Sequence, residues 1–270
     1  MKTNIKKIYT CFPGSKHKVL TMSYDDGKHE DRRLVALFNQ YGIKGTFNVN
    51  SGLEGDPVRI PQAEYRELYK GHEVACHTVS HPTIGRCPLE LVAQEVIEDR
   101  KKLESIMGYP VRGLAYPNGS ESPEIRAMLP ALGIRYGRVV GNTDGFAMPE
   151  DFLQWKATCH HNHNLLELGQ QFVDLHKKQY LYMMYVWGHS YEFTNNNNWE
   201  VMEDFCKLVG GKDDIWYATN IQIVDYMDVV KAAQYAADGS FVYNPCAQSL
   251  WLCVDDEKFV EVKGGQQVQL

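Results

Sequence analysis

Two short, well-separated segments concentrate the side chains able to do chemistry. Ser23-Tyr24-Asp25-Asp26-Gly27 closes the apolar run Val19-Leu20-Thr21-Met22. His77-Thr78-Val79-Ser80-His81-Pro82 closes the run Glu73-Val74-Ala75-Cys76. Together they offer two adjacent carboxylates and two imidazoles four residues apart. Zinc at a catalytic site typically takes three protein ligands of this nitrogen and oxygen type and keeps a position for water. One carboxylate is then left over to act as a base, and the set reads as a metal hydrolase. Each half has a bland alternative. Ten histidines make a four-residue spacing easy to reach by chance, and a lone Asp-Asp-Gly is more often a turn.

The elements that must position these groups alternate between strand and helix. Strand patterns cover Val19–Tyr24, Gly45–Asn50, Glu73–His77, Gly113–Tyr116, Arg135–Val140, Tyr180–Trp187 and Ile215–Ala218. Helical periodicity fills the gaps at Asp31–Tyr41, Leu89–Met107, Leu165–Leu175, Trp199–Leu208 and Ile221–Ala237. Gly42, Gly71, Gly108, Gly133 and Gly210 stand where C-terminal caps belong. Seven strands alternating with helices imply an α/β fold with parallel strands and crossover helices. In an α/β barrel, reactive groups gather where the C-terminal strand ends converge. Asp25, Asp26, His77, His81, Tyr116 and His189 all fall at or just past such ends. Turns alone do not explain that joint placement.

Composition narrows the field. At 270 residues, 44% hydrophobic and 23% charged, the chain can bury a large core as one barrel. A net charge of -6 argues against nucleic acid or an anionic membrane as the main partner. No apolar run approaches the ~20 residues that span a bilayer. The basic stretch Met1 to Lys18 has apolar residues too scattered for a signal peptide. An odd count of seven cysteines without such a signal reads as free thiols in a reducing, cytoplasmic setting. From about Asp238 the pattern becomes three short strand-like runs separated by Asn244-Pro245, Asp255-Asp256 and Gly264-Gly265. The expectation is a catalytic barrel over residues 1–237 and a small antiparallel β appendage over 238–270. The appendage would cover one end of the barrel or act as an arm towards a second subunit, making a homo-oligomer.

Asp25-Asp26-Gly27 followed by His77-x-x-x-His81 resembles the first two motifs of the NodB-type polysaccharide deacetylases, carbohydrate esterase family four. Ile43-Lys44-Gly45-Thr46-Phe47 resembles the stretch after the first motif, and Val186-Trp187-Gly188-His189 the late motif with a catalytic histidine. The resemblance spans roughly Val19 to Ala236 and implies a distorted (β/α) barrel of about seven strands. It also implies a divalent metal, with Zn2+ the expected ion, held by Asp26, His77 and His81. Asp25 would be the base that takes a proton from the attacking water, and a backbone N–H of the Tyr116–Gly119 loop would help stabilise the oxyanion. His189 would protonate the departing amine or alkoxide. The alternatives are satisfied core histidines for His77 and His81, a helix cap for Asp25 and a loop histidine for His189.

Two motifs depart from the family. The third begins there with an arginine two residues before a proline, which holds the catalytic aspartate. Ala115 stands at that place here, so Asp25 could lack its cation and titrate higher, unless Arg138, Lys156 or a histidine substitutes from another strand. The fourth motif is matched loosely by Asp151-Phe152-Leu153-Gln154-Trp155, followed by Cys159-His160-His161-Asn162-His163. That cluster reads as a polar loop over the active face or as a second metal site. Tyr116, Trp155, His161 and Trp187 are the expected substrate contacts, the aromatic ones by offering broad surfaces with polar edges. Three functions follow. One is a deacetylase acting on an N- or O-acetylated oligosaccharide or sugar conjugate. The others are a C–N hydrolase for a small non-sugar amide, and a silent barrel that binds carbohydrate.

Overall fold

A computed structural model describes residues 5–270, so the first four residues of the basic N-terminal stretch lie outside the described residues. The central sheet is parallel throughout and is built from nine strands. They are β2 (Lys18–Asp25), β3 (Gly45–Val49), β4 (Glu73–Cys76), β5 (Gly113–Ala115), β6 (Tyr136–Asn142), β7 (Trp155–Ala157), β8 (Cys159–His160), β9 (Tyr182–Gly188) and β10 (Ile215–Tyr217). Their order is β7-β6-β5-β4-β3-β2-β9-β8, with β10 on β2 off that path. Only Thr158 separates β7 from β8, so this piece of chain pairs with β6 at one end and with β9 at the other. It thereby closes the sheet into a barrel. The Thr158 hydroxyl donates to Gly145 O at 3.0 Å and accepts the Tyr185 N–H at 3.1 Å, which fixes the step between the two short strands.

The closing strand is Trp155–His160, where the sequence shows no strand pattern, because two three-residue-or-shorter pieces around a threonine carry no periodicity. Ile215–Tyr217 is a strand as expected, but it pairs only with Lys18–Leu20, while β3 takes Met22–Asp25 on the same edge of β2.

The crossover helices are α1 (Asp31–Tyr41), α2 (Tyr65–Leu68), α3 (Leu89–Met107), α4 (Pro123–Met128), α5 (Leu165–Val173), α6 (Ser190–Asn195), α7 (Trp199–Val209) and α8 (Asn220–Ala232). In α3 the buried set Val92, Val96, Asp99, Leu103 and Met107 follows the helical period, and each apolar side chain so buried contributes roughly 1.5–3 kcal/mol. Gly42 and Gly108 end their helices in the left-handed region, as the cap reading requires. Gly210 does not; its backbone is extended and Gly211 takes the positive φ instead. Helix α8 ends at Ala232 rather than Ala237, because Gln234–Tyr235 turns into a strand.

Outside the barrel, β1 (Ile8–Cys11), β13 (Leu250–Val254) and β14 (Lys258–Val262) form one three-stranded sheet. A second holds β11 (Gln234–Tyr235), β12 (Phe241–Tyr243) and β15 (Gln267–Gln269). Both are antiparallel, and the first takes a strand from the N-terminal side of the barrel. Val229 of α8 packs into the same core as Val242, Leu250, Leu252 and Val262. Among the described residues no helix is long and apolar enough to cross a membrane.

Candidate active site

Strand alternation decides what the barrel interior contains. On β2, Leu20, Met22 and Tyr24 face the helical layer and pack with Leu34 and Phe38. Val19, Thr21, Ser23 and Asp25 therefore point inward, as do Thr46 and Asn48 on β3, Glu73 and Ala75 on β4, and Tyr136 and Arg138 on β6. The last inward positions of these strands meet at the C-terminal mouth.

Asp25 is fully buried there. Its Oδ1 accepts from Asn48 Nδ2 at 2.8 Å, and its Oδ2 accepts from the Arg138 guanidinium in a short ion pair. The same Oδ2 lies 4.0 Å from His77 Nε2 and 3.9 Å from His189 Nε2. Burial pushes the Asp25 carboxyl up, but Arg138 above all, then His77 and His189, outweighs it and holds the group at about 2. Arg138 sits 4.5 Å over the Trp187 ring, which braces the guanidinium from behind. So of the three substitutes open for the missing arginine, Arg138 is the one that meets Asp25. In the parallel ladder Arg138 is the direct partner of Ala115, and neighbours in register project to the same face. The charge missing from the third motif is supplied from the adjacent strand at the same height.

Asp26, His77 and His81 bring one donor atom each within 4.8 Å of one another. The two imidazoles meet edge to face at 4.7 Å. His77 Nδ1 lies 2.8 Å from Ala115 O, so Nδ1–H donates to that carbonyl and Nε2 keeps its lone pair. That is the tautomer a ligating histidine needs, and burial lowers the His77 pKa, which keeps the ring neutral. The donor set therefore fits a divalent cation of the zinc type. Positive φ angles at Asp26 (81°), Thr78 (64°), His81 (59°) and Asn118 (57°) gather around this spot. Non-glycine residues hold such angles only where the surroundings impose them.

Several supporting groups carry no sequence signal. Asp99 of α3 reaches in to accept the His77 N–H at 3.0 Å and the Ser51 N–H at 2.8 Å. Arg59 contacts the Asp26 carbonyl and lies 3.6 Å from its Oδ1. Asp31, buried at the start of α1, accepts from Ser190 Oγ at 2.5 Å and Tyr69 OH at 2.7 Å, tying the segment after His189 to the helix after Asp26. Glu192 Oε1 stands 3.3 Å from His189 Nδ1. Burial pulls the His189 pKa down, but Glu192, Asp25 and Asp26 together raise it above the usual imidazole value. Glu192 shows a helical i, i+3 spacing from His189; the others are joined only by the fold.

Three of the four expected substrate contacts are core residues. Tyr116 follows inward Ala115 and so faces the helical layer, 1% exposed, with its hydroxyl donating to Leu153 O at 2.7 Å. His161 is also 1% exposed, stacked on Tyr24 beneath α6. Trp155 points inward but lies deep, packed against Tyr136, Phe152 and Tyr185. Trp187 alone reaches the mouth, 6.0 Å from His189. In the Tyr116–Gly119 loop, the Tyr116 N–H is given to Arg138 O and the Gly119 N–H to Tyr116 O. Pro117 has none, so Asn118 is that loop's remaining candidate for an oxyanion donor.

Known proteins resemble this chain over part of its length. Residues 13–137 match the family model described as polysaccharide deacetylase. A chitooligosaccharide deacetylase of Rhizobium leguminosarum bv. phaseoli is 26% identical over 106 residues, 38% of this chain and 44% of that protein. The chain thus spans less than half the length of that curated relative. A putative polysaccharide deacetylase from Mycobacterium smegmatis shares the fold with a TM-score of 0.61 at 14% identity, over 82% of this chain and 93% of that one. A family 4 acetyl xylan esterase from Clostridium thermocellum, solved with a cobalt ion, gives 0.53 at 12% identity over 77% and 91%. The likeness to the NodB-type polysaccharide deacetylases is therefore shown, by sequence over residues 13–137 and by fold across the barrel.

Proposed function

We propose that this chain is a metal-dependent hydrolase that removes acetyl groups from an N- or O-acetylated carbohydrate. The observation that carries the reading is Asp25. It is held ionised by Arg138, 3.9 Å from His189 and beside the three-donor set Asp26, His77 and His81. When bound there, a divalent cation such as Zn2+ supplies Lewis acidity to a water and to an acyl carbonyl. The chain's own residues do the rest. Asp25, ionised at every working pH, takes the proton from the attacking water. Its low pKa makes it a modest base, so orientation by Arg138 and Asn48 matters more than basicity. Glu192 and the nearby aspartates raise the His189 pKa, which favours the protonated ring, and His189 gives that proton to the departing nitrogen or oxygen. The named relatives, a chitooligosaccharide deacetylase and an acetyl xylan esterase solved with cobalt, support an acetylated sugar and a divalent ion. Seven unpaired cysteines fit a reducing compartment.

One observation favours a second reading. With Tyr116, Trp155 and His161 buried, only Trp187 of the expected contacts is left to meet a sugar, which suits a small non-sugar amide. Acetate release from zinc-reconstituted and chelated protein separates the two. Metal-dependent release from N-acetylglucosamine oligomers or acetylated xylo-oligosaccharides is expected. Release confined to small acetamides would shift the function to the second reading, and none at all with the ion bound would leave a silent barrel.

A further inference from the structure

Three imidazoles converge on one carboxylate behind His189. Glu192 Oε2 lies 2.8 Å from His161 Nε2 and 3.2 Å from His160 Nε2, while Oε1 lies 3.3 Å from His189 Nδ1. Two chemistries account for such a cluster. His160, His161 and Glu192 place donors within 4.8 Å of one another and could hold a metal ion. Alternatively, Glu192 is an acceptor shared by three N–H groups, for which an ionised carboxylate has enough lone pairs. The tautomer of His160 decides. The Asn162 N–H donates to His160 Nδ1 at 3.1 Å, so that nitrogen carries the lone pair and the proton sits on Nε2, the nitrogen 3.2 Å from Glu192 Oε2. Metal ligation through Nε2 would put the proton on Nδ1, leaving two donors face to face. His77 keeps a lone pair on Nε2 for a metal, whereas His160 carries its proton there.

The packing fits a rigid holder. His161 is fixed between Tyr24, stacked at 5.7 Å, and Phe193 at 4.1 Å. A Cβ on Gly188 would fall 2.0 Å from His161 Nδ1, so the residue before His189 must be glycine for His161 to reach Glu192. His160 sits edge-on to Trp187 at 4.6 Å, the ring that also braces Arg138.

We propose that His160 and His161 are positioning residues that act through Glu192, immobilising its carboxylate so that His189 is held with Nδ1 protonated and Nε2 turned towards Asp25. The proposal rests on the reading of His189 as the acid. Its test is ring-nitrogen NMR of the zinc-loaded full chain labelled in histidine, combined with kinetics and metal counting. His160 should show the Nε2–H form, and the ring signals of His189 should move in both His160→Phe and Glu192→Gln. His160→Phe should lose roughly tenfold in kcat, with His160→Gln recovering most of it. KM should change by less than about twofold and zinc should stay at one ion per chain. An Nδ1–H His160, unmoved His189 signals, or a second zinc lost in His160→Phe would overturn the proposal. His189→Ala with full turnover would instead sink the acid reading, while the NMR still decides whether the cluster orients that ring.

Discussion

The two ends of the barrel each bury a carboxylate and treat it in opposite ways. At the C-terminal mouth Asp25 faces Arg138 and is held at about 2. At the N-terminal floor Glu73 faces only neutral donors: Tyr136 OH at 2.8 Å, Thr46 Oγ1 at 2.9 Å and the Ile221 N–H at 2.9 Å, where α8 begins. Burial pushes Glu73 up to about 7, and the hydrogen bonds recover only part of that. The Asn220 side chain joins the same plug, accepting from Thr21 Oγ1 at 2.8 Å and donating to Tyr185 OH at 2.7 Å. Equal burial therefore does not mean equal charge. A guanidinium in register keeps the mouth ionised for chemistry, while hydroxyls and an amide leave the floor near neutrality as structure.

The strongest way to break this contrast is at the metal donors. His77→Ala should abolish zinc binding and turnover together; stoichiometric zinc by elemental analysis in that variant would refute the donor set. Next comes Asp25→Asn, which should keep zinc and lose roughly a thousandfold in kcat, the scale of a positioned general base. Lost metal or intact turnover would show that Asp25 is not a separate base.

Arg138→Met should make the mouth behave like the floor. The stranded Asp25 charge should cost about 3 kcal/mol in denaturant unfolding at pH 7, and the acidic limb of the activity profile should move upwards. An unchanged profile would show that the guanidinium does not set the Asp25 charge.

The smallest effect is expected at Glu73. A carboxyl whose folded pKa lies above its ordinary value stabilises fully below that ordinary value, and the contribution declines as pH rises through about 7. Wild type should lose roughly 2 kcal/mol more stability than Glu73→Gln between pH 5 and pH 8. Parallel curves would place the Glu73 titration elsewhere.

Much of the mouth is legible along the chain. Asp25, Asp26, His77 and His189 follow strand patterns whose ends the side-chain alternation fixes, and α1 and α3 run from Asp31 to Tyr41 and from Leu89 to Met107 as their periodicity predicts. Parity is also why Tyr116 and His161 are core. Each is one position out of phase with an inward neighbour, and a single-residue offset at a strand end cannot be judged without the ladder.

What the sequence by itself determined was local: which residues repeat with period 2 or 3.6, and which reactive types stand at the ends of those runs. Closure of the barrel through Trp155–His160, the pairing of Arg138 with Ala115 and the meeting of Glu192 with His160 and His161 belong to the tertiary structure. Each depends on register between strands, or on a side chain crossing to another element, and short-range periodicity contains neither. The same reason separates Asp25 from Glu73: both end up buried, and only the neighbour that the fold brings to each decides its charge.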